Sequence, residues 1–412
     1  MYKIYLAIAV IFFFVSACHA KRLPSNSTEA DAPTQFIILN STSLDANATK
    51  IVKEIASTFG KASGKRIAVG VAYIISYLDV TPAKADSTLR KVLALSQQYD
   101  LPILVHLDGE NEWGNRPDLW NWWDSTKSGY NPENRYNVEW HDWSPDSATK
   151  IGWRNWGQQV RTPLPMPNLM SPVYREACDS AMQRLVPIVT DWWHSLPDSL
   201  KYLFVGINVG WESGIGVNNW YYPNGNAVLD QPEANDPTYG LNLRDLPSRG
   251  VQAIGYAAVS TLGLAHSGKL TEEQLAKVTQ IHLEDLSKVC YDLGVPRDHI
   301  FTHCGGWCDG DPTFYAAVNK YSCPGWSFYK HAYDPAENVD PMNALKSSDA
   351  PYWAATEWLY MGDHGDGETA WLLALENTLS IPRIRYLCIY NWEGIINNQA
   401  AIEAIRVGSK FR

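Results

Sequence analysis

The chain has 412 residues, 45% of them hydrophobic, and a formal charge of −10. That length can bury a substantial core, while the acidic balance and the lack of a basic stripe argue against a nucleic-acid partner. The 18 Trp and 22 Tyr exceed what a core requires. They suit stacking on the apolar C–H faces of sugar rings, so a carbohydrate is the expected partner.

Residues 1–20 read as an export signal, with Lys3 ahead of an apolar run, Tyr5 to Val15, too short to span a bilayer. Two cleavage patterns compete. Val15-Ser16-Ala17-Cys18 is lipobox-like and would lipidate Cys18, attaching the protein to a membrane; Ala17-Cys18-His19-Ala20 offers ordinary cleavage before Lys21. The expected location is therefore secreted or anchored at the cell envelope. Sequons at Asn26, Asn40 and Asn47 carry meaning only on a eukaryotic secretory route. Residues 21–34 are polar and aperiodic, a tether, and residues 35–412 form the remaining domain.

From Gln35 onward strands and helices alternate. Strands are expected at Phe36–Asn40, Arg66–Ile75, Leu101–Leu107, Leu203–Val209, Ile300–His303, Trp326–Lys330, Tyr352–Thr356 and Arg385–Tyr390. Helices are expected at Asp45–Phe59, from Thr81-Pro82 to Tyr99, from Ser171-Pro172 to Trp193, from Thr271 to Leu293, over Glu368–Ser380 and over Ala400–Val407. Thr271 with Gln274 forms a capping-box pattern. Eight strands with intervening helices predict an α/β fold, a single (β/α)8 TIM barrel. A doubly wound sheet is the alternative, but no Gly-rich phosphate fingerprint follows the first strand. At about 375 residues the domain exceeds the usual barrel of about 250. The surplus falls in long loops after strands three and four, Asp108–Met170 and Ser213–Lys269. Trp113, Trp120, Trp122, Trp123, Trp140, Trp143, Trp153 and Trp156 in the first are expected to wall a cleft, together with Trp220, Tyr221 and Tyr222 in the second.

Six cysteines follow Cys18, and an even count in an exported chain permits disulfides. Cys308 with Cys323 is the favoured pairing, both lying in loop-like sequence. His303-Cys304-Gly305-Gly306-Trp307-Cys308 has no second paired ligand motif, so no metal is expected there. No cofactor motif is present.

Three apolar strands end in Glu beside Trp: Gly210-Trp211-Glu212, Thr356-Glu357-Trp358 and Asn391-Trp392-Glu393. A buried strand seldom ends in an ionisable group for stability, because desolvating it is costly. Hydrolysing a glycoside needs two such carboxyls, one protonating the leaving oxygen and one attacking carbon or activating water. Glu212 and Glu357 end strands four and seven, which face each other across a barrel mouth.

At this point the chain resembles the clan A glycoside hydrolases, (β/α)8 retaining enzymes with an acid/base Glu after strand four and a nucleophilic Glu after strand seven. The resemblance implies Glu212 as acid/base, Glu357 as nucleophile and Trp392 as the floor of a sugar subsite. The clan usually has Asn before the acid/base; here Trp211 stands there, with Asn208 four residues before Glu212. His106, Asp108 and Glu110 after strand three, His303 after strand five, and Tyr329 and His331 after strand six could bind sugar hydroxyls or orient a Glu. Trp358 is a further substrate-binding candidate and Glu393 the rival nucleophile. The leading expectation is an exported hydrolase of β-glycosidic bonds. The alternatives are a non-catalytic carbohydrate-binding barrel, or an inverting hydrolase or lyase using Glu212 with another acid.

Overall fold

A computed structural model describes residues 32–42, 44–155, 159–162, 164–216, 220–221, 252–306 and 308–410. The export signal, Cys18, most of the tether, Asn26, Trp156 and Tyr222 lie outside them. Eight parallel strands close into a barrel in sequential order. They are β1 Gln35–Asn40, β2 Ile67–Ser76, β3 Ile103–Asp108, β4 Phe204–Ser213, β5 Ile300–Cys304, β6 Gly325–Phe328, β7 Trp353–Trp358 and β8 Ile384–Ile389. Closure rules out the doubly wound alternative: β1 pairs with β8 from Phe36 opposite Tyr386 to Leu39 opposite Ile389. Around the barrel run α1 Leu44–Phe59, α2 Pro82–Tyr99, α3 Pro172–Ser195, α4 Glu272–Asp292, α5 Val339–Ser347, α6 Glu368–Ser380 and α7 Gln399–Gly408. No helix among the described residues is long and apolar enough to cross a membrane.

The strands are nearly continuous apolar runs because both of their faces are buried. Phe36, Ile38, Leu104, Val205, Phe301 and Tyr386 fill the barrel's interior. Their neighbours Ile37, Val69, Val105 and Ile207 turn outward onto Val52, Leu89, Val92, Leu185 and Leu283 of the helices. Helix starts follow local chemistry. Thr81 accepts from the Lys84 amide ahead of Pro82, and Ser171 from the Tyr174 amide ahead of Pro172. Thr271 and Gln274 satisfy one another's backbone amides at 3.3 and 3.0 Å, a complete capping box for α4. Helix α5 has no counterpart in the sequence reading, since its nine residues carry no side-chain cap and a Pro in the first turn.

The expected cysteine pairing fails. No disulfide joins Cys308 to Cys323, and among the described residues Cys178, Cys290, Cys304 and Cys388 are likewise unbridged. Cys308 follows the C-terminal end of β5 while Cys323 precedes β6, and in parallel strands those positions lie at opposite ends of the barrel. Cys323 instead donates to the Arg297 carbonyl. Asn40 is only 3% exposed at the end of β1, which closes that sequon to modification in the folded protein.

Removing the cap on α4 should be felt directly by the barrel, since this helix packs on β4. Thr271→Ala is expected to cost about 1 kcal/mol, read as a lowered midpoint in chemical denaturation with an unchanged m-value.

Candidate active site

The end of β4 departs from regular strand geometry. Val209 lies opposite Thr302 and Ser213 opposite Cys304, so three residues, Gly210 to Glu212, face the single residue His303. This bulge swings Trp211 and Glu212 into the barrel mouth. Gly210 sits at φ +77°, and a Cβ there would fall 2.3 Å from Ser213 Oγ and 2.8 Å from Leu283 Cδ2, so only glycine fits. Glu212 itself adopts φ +49°, a left-handed conformation that costs a non-glycine residue roughly 1–3 kcal/mol.

Four contacts hold the bulge. The His106 imidazole donates from Nε2 to the Gly210 carbonyl. Asn111 Nδ2 donates to the Trp211 carbonyl at 2.9 Å. Ser213 Oγ donates to Glu110 Oε2 at 2.5 Å, and the Gly305 amide to the Ser213 carbonyl at 2.8 Å. Burial pulls the His106 imidazole down to about 4, against the opposing effect of its bond to Gly210, so the ring is a neutral donor.

Across the mouth, Glu357 stands near the end of β7, level with Ser327 of β6. Glu212 and Glu357 are 8% and 5% exposed. One oxygen of each carboxyl and one His303 nitrogen lie within 4.8 Å of one another. Trp211 Nε1 donates to Glu357 Oε2 at 3.2 Å, and the Tyr329 hydroxyl donates to Oε1. His303 Nε2 is 3.9 Å from Glu357 Oε2 and 2.8 Å from Ser327 Oγ. Burial, reinforced by His106, lowers the His303 imidazole well below its ordinary range; its contact with Glu357 is therefore not an ion pair.

Burial first, and the Glu212 charge second, push Glu357 well above the usual carboxylate range, while Tyr329 and Trp211 pull it back. Two carboxyls this close cannot both ionise cheaply, so near neutrality the pair holds one proton. Both oxygens of Glu357 accept from protein donors, which favours its ionised form against the burial and the Glu212 charge that oppose it. Glu212, His303 and Glu357 are also the donor set a cation would need. The Glu357 oxygens are already engaged by Trp211 and Tyr329, and His303 Nε2 by Ser327, an arrangement suited to an acid pair rather than a metal cradle. Cys304 cannot join His303 as a ligand, because adjacent strand residues point to opposite faces.

A cavity of about 430 Å³ is bounded by Ser327, Tyr329, His331, Gly306, Phe314 and Met361; neither carboxyl lines it, and it meets the site through Tyr329, which donates to Glu357, and Ser327, which bonds His303. Tyr390, which sequence reasoning does not single out, completes the mouth. Burial and the charges of Glu357 and Glu212 raise its phenol. It is the last residue of the apolar run leading out of β8, a position whose signal Trp392 obscured.

Several expected site residues lie elsewhere. Trp392 is 2% exposed and packs edge-on against Phe59 of α1, so it cannot floor a sugar subsite. Glu393 is exposed and accepts from Ser41 Oγ at 2.6 Å, fastening the segment after β8 to the end of β1. Trp358 is fully buried in the outer core, donating to the Ala332 carbonyl at 3.0 Å. Asp108 is buried under the loop after β3, accepting from the Glu110 and Asn111 amides at 3.0 and 3.2 Å; burial pushes it up to about 7. Glu110 lies behind β4, beside His282 of α4. Asn208 is wholly buried in register with His106.

The indole wall is corrected as well. Trp113, Trp120 and Trp140 are buried in the same apolar cluster as the outward faces of the strands and the barrel helices, and Trp122, Trp123 and Trp143 pack against it. The side chain of Trp153 is outside the described set. These indoles anchor the segment of more than 60 residues between β3 and α3 onto the barrel's outer core. His141 stacks on Tyr221 with ring centroids 3.9 Å apart, joining the two inserts.

No family model matches the chain, and no curated protein does. Solved structures resemble it throughout its length. The catalytic domain of a β-amylase from Paenibacillus polymyxa aligns over 91% of this chain and 98% of its own, with a TM-score of 0.50 and 11% identity. An exo-β-1,4-mannosidase from an Opitutaceae bacterium aligns over 91% of this chain with a TM-score of 0.44 and 11% identity; this chain spans 59% of that one. A glycoside hydrolase family 5 enzyme from Prevotella bryantii aligns over 93% of this chain and 98% of its own, with a TM-score of 0.43 and 10% identity. At such identities the likeness speaks for the fold: an eight-stranded parallel barrel of the kind found in glycoside hydrolases.

The donors on Glu357 make a signed prediction. Tyr329→Phe removes a hydrogen bond that favours the ionised carboxylate, so Glu357 should titrate higher by about one pH unit. Trp211→Phe should act in the same direction. Carbon-13 NMR titration of the side-chain carboxyls reads both; an unmoved titration would show that these donors do not set the charge.

Proposed function

We propose that the protein is a glycoside hydrolase that cleaves β-glycosidic bonds by double displacement, with Glu212 as acid/base and Glu357 as nucleophile. The observation that carries this reading is the convergence of two buried carboxyls from β4 and β7 within 4.8 Å. Retaining enzymes hold their carboxyls about 5–5.5 Å apart, whereas inverting ones leave about 6.5–9.5 Å for a water. The close approach favours retention over an inverting hydrolase.

The environments divide the roles. Glu357 is gripped at both oxygens and faces the mouth as an ionised, oriented nucleophile. Tyr329, its phenol raised well above the ordinary range by burial and then by Glu357, stays protonated and donates. Glu212 carries the shared proton to the leaving oxygen and is left ionised to activate water for the second step. Once the glycosyl–Glu357 ester forms, the repulsion that held the proton on Glu212 disappears, which favours its switch from acid to base. The cavity by Ser327, Tyr329 and His331 gives the substrate an approach of suitable size. Export, with or without a lipid on Cys18, completes the proposal and is checked by the N-terminal residue of the mature protein.

Azide separates the two roles. A screen of aryl glycosides first identifies a substrate. For Glu212→Ala, an activated aryl glycoside should still glycosylate Glu357, and azide should restore turnover with a β-glycosyl azide as product. For Glu357→Ala, azide should attack the substrate directly and give the opposite anomer. Reversed products would exchange the roles; wild-type turnover in both variants would favour a non-catalytic carbohydrate-binding barrel.

A further inference from the structure

We propose that Glu110 and His282, which lie behind β4, are positioning residues for Glu212; this rests on the acid/base reading of Glu212. Glu110 and His282 are 2% and 3% exposed, one in the loop after β3 and the other on the face of α4 that packs against β4. His282 Nε2 stands 3.6 Å from Glu110 Oε2, and that same oxygen accepts from Ser213 Oγ at 2.5 Å. Ser213 is the residue after Glu212. A continuous line of contacts thus runs from helix α4 through His282 and Glu110 to the backbone that carries the acid/base.

The line has a mechanical purpose. Three residues of β4 span the place of one on β5, and Glu212 is held in a left-handed conformation. Such a segment relaxes unless its ends are fixed. Its upstream end is fixed by His106 on the Gly210 carbonyl. Its downstream end is fixed at Ser213 by Glu110 on the hydroxyl and Gly305 on the carbonyl. Releasing the hydroxyl would let the bulge shorten and draw the Glu212 carboxyl away from Glu357. An apolar pair of equal volume would pack between β4 and α4 at lower cost than a buried carboxyl and imidazole. The polar pair is explained by what it holds.

Positioning has a signature that folding alone lacks. A displaced acid harms departure of a poor leaving group more than that of a good one, because only the poor one needs protonation. The probes are two aryl β-glycosides of one sugar that the wild type cleaves, one with a 2,4-dinitrophenyl and one with an unsubstituted phenyl leaving group. The readout is kcat/KM, which reports the glycosylation step. Ser213→Ala and Glu110→Leu should lower kcat/KM for the phenyl glycoside by about 10- to 100-fold, as expected for a displacement near 1 Å, and for the dinitrophenyl glycoside by less than about threefold. His282→Leu should fall in between. Glu110→Gln keeps an acceptor oxygen for Ser213 and should recover most of the phenyl activity. Equal losses on both glycosides, tracking a lowered Tm, or no loss on either, would overturn the proposal. If Glu212→Ala itself showed no leaving-group dependence, the acid/base reading would fall, a separate result. A crystal structure of Ser213→Ala gives an answer independent of turnover. Glu212 should leave the left-handed region and separate from Glu357, and an unchanged bulge would refute the inference.

Discussion

Two carboxyl groups held within 4.8 Å in a nearly closed space set the terms for the rest of the barrel mouth. At about 4 Å and an effective dielectric constant of about 20, two like charges repel by about 4 kcal/mol. Left to themselves the side chains would turn apart or both take up protons. The barrel prevents the first by planting each Glu on a different strand of a closed sheet. The second is opposed at Glu357, where Tyr329 and Trp211 donate to the two oxygens. The neutral His303, tied to Ser327, adds shape beside the pair without adding charge.

Glu212 reaches its position by a different device. Glu357 sits where β7 slips by one residue against both of its neighbours, between Ala355 and Trp358, whereas Glu212 rides on a wider bulge that needs a glycine at its start and a non-glycine residue in a left-handed turn. The polar contacts of the mouth serve that segment from several sides: His106 from β3, Asn111 and Glu110 from the following loop, Gly305 from beyond β5. His106, Glu110, Ser213 and Gly305 are buried and Asn111 is half-buried, and a buried hydrogen bond is costly to lose. Asp108 contributes one step further back, accepting from the amides of Glu110 and Asn111 and so shaping the loop that braces the bulge. Reactivity and strain thus meet in one short stretch of backbone.

The inserts answer to a different constraint. Residues between β3 and α3 leave the barrel and return to its outer core through buried indoles. Trp113 packs edge-on to Tyr174 and donates to the Pro165 carbonyl at 3.1 Å. Glu139, fully buried and pushed up to about 8 by burial, accepts from the amides of Ala257 and Ala258 and links the first insert to the start of the Tyr256–Thr261 helix. Aromatic abundance here reflects how an irregular segment is anchored to the outer core of the barrel, which is why it misleads as a sign of a sugar-stacking wall.

The barrel was legible from the sequence because its strands are continuous apolar runs and its helices begin at Thr, Ser and Pro signals that act within a few residues. The same local rules made Glu212 and Glu357 stand out, since an ionisable residue ending an apolar run is costly wherever the run goes. Which of the three Trp–Glu endings converge was not local. Glu357 and Glu393 follow similar runs, yet one turns into the mouth and the other binds Ser41 at the surface. Trp211 and Trp392 likewise exchange the roles their motifs suggest, one donating to Glu357 and the other packing on Phe59. The sequence alone determined the periodicities, the caps and the costly carboxyls, because those depend on neighbours along the chain. The bulge, the left-handed Glu212 and the Glu110–Ser213 brace depend on where strands four and five fall out of register, and only closure of the barrel decides that.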